Sequence, residues 1–104
     1  MRLAFDKISD SPLNILRRLG YSFIRKEASS GELSFVRRVG SADYPRFHIF
    51  VRERDGGAEL TLHLDQKKAS YQGSAAHSGE YGAEENQWLE HEAEMIKNGF
   101  GSSS

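Results

Sequence analysis

The stretch from His63 to Tyr81, HLDQKKASYQGSAAHSGEY, holds two of the chain's four histidines, together with Asp65, Lys67, Lys68, Tyr71, Ser78, Glu80 and Tyr81. These are the side chains of metal and acid–base chemistry. His63 and Asp65 form a His-x-Asp pair, which a strand places on one face. His77 and Glu80 stand three apart across a glycine turn. With His48 they make a set suited to zinc or a similar divalent metal: His48, His63 and one of Asp65, His77 or Glu80, imidazole and carboxylate in tetrahedral geometry. No established zinc spacing is matched. A histidine oriented by a carboxylate also serves as a general base, and Lys67, Tyr71 and Ser78 complete the residue types of acid–base catalysis. His77-Ser78 invites a Ser–His reading, but nucleophile and base normally converge from separate parts of a fold. There is neither a P-loop nor a dinucleotide fingerprint.

The elements that must position these groups are legible in the pattern. SPLNILRRLG reads as a short helix: Ser11 caps it, Pro12 takes its first position, and Gly20 suits the left-handed residue after its end. YSFIRKEA and ELSFVRRV read as strands joined by the turn residues SSG. PRFHIFVRE and AELTLHLD alternate most clearly, and the RDGG between them contains Asp-Gly, the strongest short hairpin signal. Tyr44-Pro45 marks the entry to the third of these strands, because the residue before proline is driven to extended geometry. AEENQWLEHEAEMIKNG reads as a helix with Leu89, Ala93 and Ile96 on one face, Trp88 and Met95 beside it, and Asn98-Gly99 as its stop. The expected fold is therefore α+β, in α-β-β-β-β-α order. It has a four-stranded antiparallel sheet of two hairpins, with both helices packed on one face. The stretch from Gln66 to Gly82 is long for a connection in a small domain; loops of that length are usually functional or disordered. It is expected to fold back over the other face.

Alternation assigns the faces. Phe47, Ile49 and Val51, with Leu60, Leu62 and Leu64, must face the helices, because a slip of one residue would expose all of them. Arg46, His48, Phe50 and Arg52 then share the outer face with Glu59, Thr61, His63 and Asp65. Two registers are open. With Asp55-Gly56 at the turn, His48 faces His63, Arg52 faces Glu59 and Arg46 faces Asp65. With Gly56-Gly57 there, His48 faces Asp65. Either way His48, His63 and Asp65 lie together.

This face suggests three uses besides catalysis. One is the metal site above. Another is nucleic-acid binding, through Phe50 for stacking and Arg46, Arg52, Lys67 and Lys68 for phosphates. Arg54 adjoins these, and Arg25, Lys26, Arg37 and Arg38 come from the first hairpin. RNA or DNA is the favoured ligand class, although a pI near 6.4 lies below the basic range usual for such domains. The third is a structural clasp, in which Tyr71, Ser78 and Tyr81, with His77 and Glu80, anchor the loop by hydrogen bonds and hold no ligand. A polar outer face is also simply normal for an antiparallel sheet.

Bulk properties bound these readings. A chain of 104 residues suggests one domain, here 1–100, with the small polar residues 101–104 as a disordered tail. The absence of cysteine excludes disulfides, thiolate zinc sites and a cysteine nucleophile, and it fits a reducing, cytoplasmic setting. MRLAFDKISD carries no apolar signal core, and no apolar run approaches the roughly 20 residues that span a bilayer. The net charge of −1 conceals a basic middle, Arg17 to Lys68, and an acidic last helix. That distribution allows a protein partner, or a homodimer in which the arginine-rich strands of one copy meet the acidic helix of another.

YPRFHIFVR, LHLDQKKASYQGSAAHSGEY and the closing acidic helix together resemble a family of small, uncharacterised single-domain proteins predicted from uncultured bacteria. The resemblance covers nearly the whole chain. It implies that the His-Leu-Asp-Gln-Lys-Lys and His-Ser-Gly-Glu-Tyr segments act as one unit, and it carries no activity, cofactor or partner with it.

Overall fold

The first helix is built by its ends. In the computed structural model, which describes residues 1–66 and 83–101, Ser11 Oγ accepts from Asn14 N at 3.1 Å and Pro12 opens helix α1 (Pro12–Arg18). Gly20, at φ 99°, turns the chain out of it. Arg18 reaches back to Asp10 at 3.0 Å. Strands β2 (Ser22–Lys26) and β3 (Leu33–Arg38) follow as the first hairpin, and β4 (Arg46–Arg54) and β5 (Gly57–Asp65) as the second. The final helix, α2, runs Ala83–Gly101.

One strand is additional to the expected four. Residues Arg2–Phe5 form β1, which pairs antiparallel with β5 and gives a five-stranded sheet in the order β1-β5-β4-β3-β2. Four residues are too few to show an alternating period. What makes them a strand is the free edge of β5 and the burial of Leu3 in the core. The chain leaves β1 so close to β5 that a Cβ at position 57 would strike the carbonyl oxygens of Phe5 and Asp6. Gly57 is there because the backbones approach too closely for any side chain.

The turn between β4 and β5 decides the register. Asp55 and Gly56 have φ values of 42° and 86°, the two positive values that a type I′ turn requires. His48 therefore pairs with His63, Phe50 with Thr61, and Arg46 with Asp65. The apolar rows of both strands join Phe35, Leu3, Ile15, Leu16, Leu89, Ala93 and Ile96 in one core between sheet and helices. The α2 helix runs past the expected stop at Asn98-Gly99, because Phe100 is buried and stacks on Phe5 with ring centroids 4.9 Å apart. Tertiary packing here overrides a weak local stop signal. Gly101, expected to open the disordered tail 101–104, is instead helical, and residues 102–104 lie outside the described residues.

Arg37 does not join the outer cations. Alternation turns it, unlike Arg38, toward the core side, opposite Phe47. There its Nε donates to Glu92 Oε2 at 2.9 Å and its Nη2 to Oε1, while the Tyr21 hydroxyl donates to Oε2 at 2.6 Å. Glu92 is only 2% exposed, so its charge is tolerable only because three donors satisfy it. Burial, reinforced by this carboxylate, pushes the Tyr21 hydroxyl far above its usual pKa and keeps it a donor. Removing Arg37 strands a buried carboxylate, whereas removing Glu92 leaves a guanidinium that is 31% exposed and still reaches water. Arg37→Ala is therefore expected to destabilise by about 3–5 kcal/mol and Glu92→Ala by clearly less, with the double variant costing less than the sum. Denaturant unfolding of the three variants measures this.

Candidate functional site

The outer face is centred on β4. Its strand neighbours bring Ser34 and Val36 from β3 and Thr61, His63 and Asp65 from β5 against Phe50 and His48. Ser34 is small and sits diagonal to His48, so the imidazole reaches across to it: Ser34 Oγ lies 2.7 Å from His48 Nε2. The other ring nitrogen, Nδ1, is 3.3 Å from Asp65 Oδ2. With Nδ1–H donating to the carboxylate, Nε2 accepts from the serine hydroxyl and both bonds are satisfied. Arg46 Nε stands 3.7 Å from the same Asp65 oxygen, and the Arg46 guanidinium lies over the Tyr44 ring, 4.6 Å from its centroid. A continuous polar chain thus crosses three strands from Ser34 to Tyr44.

The order serine, histidine, aspartate is that of a nucleophilic relay. Ser34, however, is 1% exposed, and a nucleophile must reach its substrate. The arrangement clamps the imidazole at both nitrogens and fixes its plane.

His63 is bound differently. It faces His48 directly across the β4–β5 ladder, yet its ring makes no hydrogen bond among the described residues and meets Phe50 edge-on, with centroids 5.8 Å apart. His48 also lies against Phe50, at 4.4 Å and tilted by 32°. Burial, partly offset by Asp65, lowers the His63 pKa below its ordinary 6.5 and keeps the ring neutral near pH 7. The hydrogen bond from His48 lowers the Asp65 pKa below 3.8 and keeps it charged.

Further along, Arg52 pairs with Glu32 at 3.5 Å and Arg54 with Glu59 at 3.4 Å. Glu59 stands directly opposite Arg52 in the register, but it is the diagonal Arg54 that forms its ion pair. Arg38 reaches Asp43 at 3.5 Å and Arg25 reaches Glu27 at 2.8 Å.

The structure thus brings together Arg46, His48, Phe50, Arg52, His63 and Asp65. Lys67, Lys68, Tyr71, His77, Ser78, Glu80 and Tyr81, and with them the clasp and the loop ligands of a metal site, lie outside the described residues. Among the described residues, no three histidine or carboxylate side chains converge in a way that could hold a metal ion. His48 would have to release Ser34 or Asp65 to bind one. The sequence pattern did not point to Ser34, and it marked Tyr44 only as the strand entry before Pro45. The only signal available for Ser34 was its place on the β3 outer row, and for Tyr44 its position two residues before Arg46.

No helix among the described residues is long and apolar enough to cross a membrane. Comparisons with protein families, curated proteins and solved structures give no match, so the chemistry of the face is read from its own residues.

The two shifted groups make stability depend on pH. A folded His63 that resists protonation lets the unfolded chain bind the proton more readily, so stability is complete above pH 6.5 and declines as the pH falls below it. Asp65 acts likewise from 3.8 downward. The melting temperature is expected to fall between pH 7 and pH 5. His63→Asn should flatten that part of the profile, and Asp65→Asn only the part below pH 4; calorimetry across the range measures both.

Proposed function

We propose that the chain is a small binding module that takes single-stranded nucleic acid on the outer face of its sheet. The observation that carries this reading is the cluster of His48, Phe50 and His63, in which Phe50 lies 4.4 and 5.8 Å from the two imidazoles, set in the middle of a face with arginines at both ends. Every base has a π-face, and stacking on an aromatic side chain contributes about 1–3 kcal/mol per base. The clamp on His48 supports the reading: a ring fixed in its plane presents a stacking surface without losing rotamer entropy on binding. Arg46 lies toward one end of β4, Arg52 and Arg54 toward the other, and Lys67 and Lys68 follow β5 in sequence.

The ion pairs of Arg52 and Arg54 do not preclude phosphate contacts. Both arginines are more than half exposed, and pairs of that kind contribute only about 0–1 kcal/mol. A phosphate can replace the carboxylate at small cost. Glu32 and Glu59 remain on the surface, so affinity is expected to be modest.

Fluorescence anisotropy with oligouridine and oligothymidine over a salt series tests the reading. Binding should be measurable at about 50 mM salt and fall linearly in log–log terms. Phe50→Ala should weaken it about 5-fold or more, and Arg52→Ala should reduce the slope by roughly one phosphate contact. No binding at low salt, or full affinity in Phe50→Ala, overturns the reading.

A further inference from the structure

We propose that Arg46 and His63 form a phosphate subsite at the start of β4, shaped for a phosphomonoester at the end of a strand rather than for an internal phosphodiester. The inference rests on the nucleic-acid reading for the source of the phosphate, but its geometry stands apart from it.

Among the described residues, Arg46 is held without the use of its terminal amino groups. Its guanidinium lies over Tyr44 at 4.6 Å, and its Nε, buried and without a hydrogen-bond partner, faces Asp65 Oδ2 at 3.7 Å. Neither Nη makes a hydrogen bond among the described residues, although the side chain is largely covered. The planar fork is therefore fixed in direction with its two outer donors unused among the described residues, the arrangement that binds two oxygens of one phosphate.

His63 is the diagonal neighbour of Arg46 across the ladder, since His63 faces His48 and Arg46 faces Asp65. Diagonal positions lie roughly 7–8 Å apart, a span that a long side chain and one tetrahedral ion can bridge. The imidazole is likewise without a hydrogen bond among the described residues, and in its neutral form it carries one N–H. The fork and the ring together offer three donors. A phosphomonoester presents three terminal oxygens and a phosphodiester only two. Asp65, the carboxylate nearest the subsite, accepts from His48 on Oδ2 and has Arg46 Nε 3.7 Å from the same oxygen; its negative charge opposes a bound phosphate, so affinity at the subsite is expected to be modest.

The test compares one oligouridine with and without a 5′-phosphate, and separately with and without a 3′-phosphate, by anisotropy. Titration with inorganic phosphate is followed through the His63 ring signals by NMR. The phosphorylated strand should bind about 10-fold more tightly, the equivalent of one charged hydrogen bond. Arg46→Lys keeps the charge and loses the fork; it should abolish the difference in affinity between the phosphorylated and unphosphorylated strands. His63→Phe keeps a ring and loses the donor, and should reduce the preference in part.

Strand binding with no preference for either phosphorylated end overturns the subsite and leaves the nucleic-acid reading intact, as does a preference that survives Arg46→Lys. If no strand binds but inorganic phosphate shifts the His63 signals, and Arg46→Lys removes that shift, the subsite stands and the nucleic-acid reading falls.

Discussion

The outer face takes its layout from the β4–β5 ladder, whose register is set by two residues at its closed end. Asp55 and Gly56 both adopt positive φ, which matches the right-handed twist of the strands they join. Moving the turn by one residue would bring His48 opposite Asp65 and put His63 diagonal to it. In the observed register the two imidazoles face each other, Phe50 lies beside both, and Asp65 reaches the diagonal His48 instead of pairing only with Arg46. The same ladder carries the apolar rows that the helices cover, so the core and the candidate site share one geometric cause.

Holding the helices over that core is a second, polar constraint. Glu92 enters the interior on α2 and is met by Arg37 from β3 and by Tyr21, which follows α1. A buried charge is a poor source of net stability, because desolvation offsets much of the Coulomb gain. Its better-attested effect is to penalise alternatives. A rotation or slide of α2 would leave the carboxylate without donors, whereas an apolar contact of the same area tolerates small shifts. The network therefore pins the helix with respect to β3.

The two histidines show how one sheet face can hold the same residue type in different chemical states. His48 has a small serine on one side and a carboxylate on the other, and both of its nitrogens are engaged. His63 has an aromatic edge and no hydrogen-bond partner among the described residues. One ring is a fixed surface, and the other keeps its donor and acceptor unpaired among the described residues. Binding by the face draws on both: a ring cluster, and polar groups without a hydrogen-bond partner among the described residues.

Much of this was determined by the sequence alone, because the determining physics is local. The caps at Ser11 and Gly20, the two hairpins, the apolar rows and the placing of His48, His63 and Asp65 on one face follow from periodicity and turn chemistry, which act over a few residues. The register was narrowed to two alternatives by Asp55-Gly56-Gly57, and the charge pairing of Arg46 with Asp65 favoured the one observed. What only the tertiary structure decided depends on neighbours distant in sequence. The β1 strand is too short to show a period and exists because β5 offers an edge. The α2 helix continues through Asn98-Gly99 because Phe100 finds Phe5. Arg37 shares the core-side row of Leu33 and Phe35, and its burial is tolerable only because Glu92, distant in sequence, is there to receive it. Ser34 and Tyr44 matter only through the histidine and arginine that the sheet brings beside them. Alternation tells which face a residue takes, but the partner of a polar atom is settled by the packing of strands that the chain itself does not place next to one another.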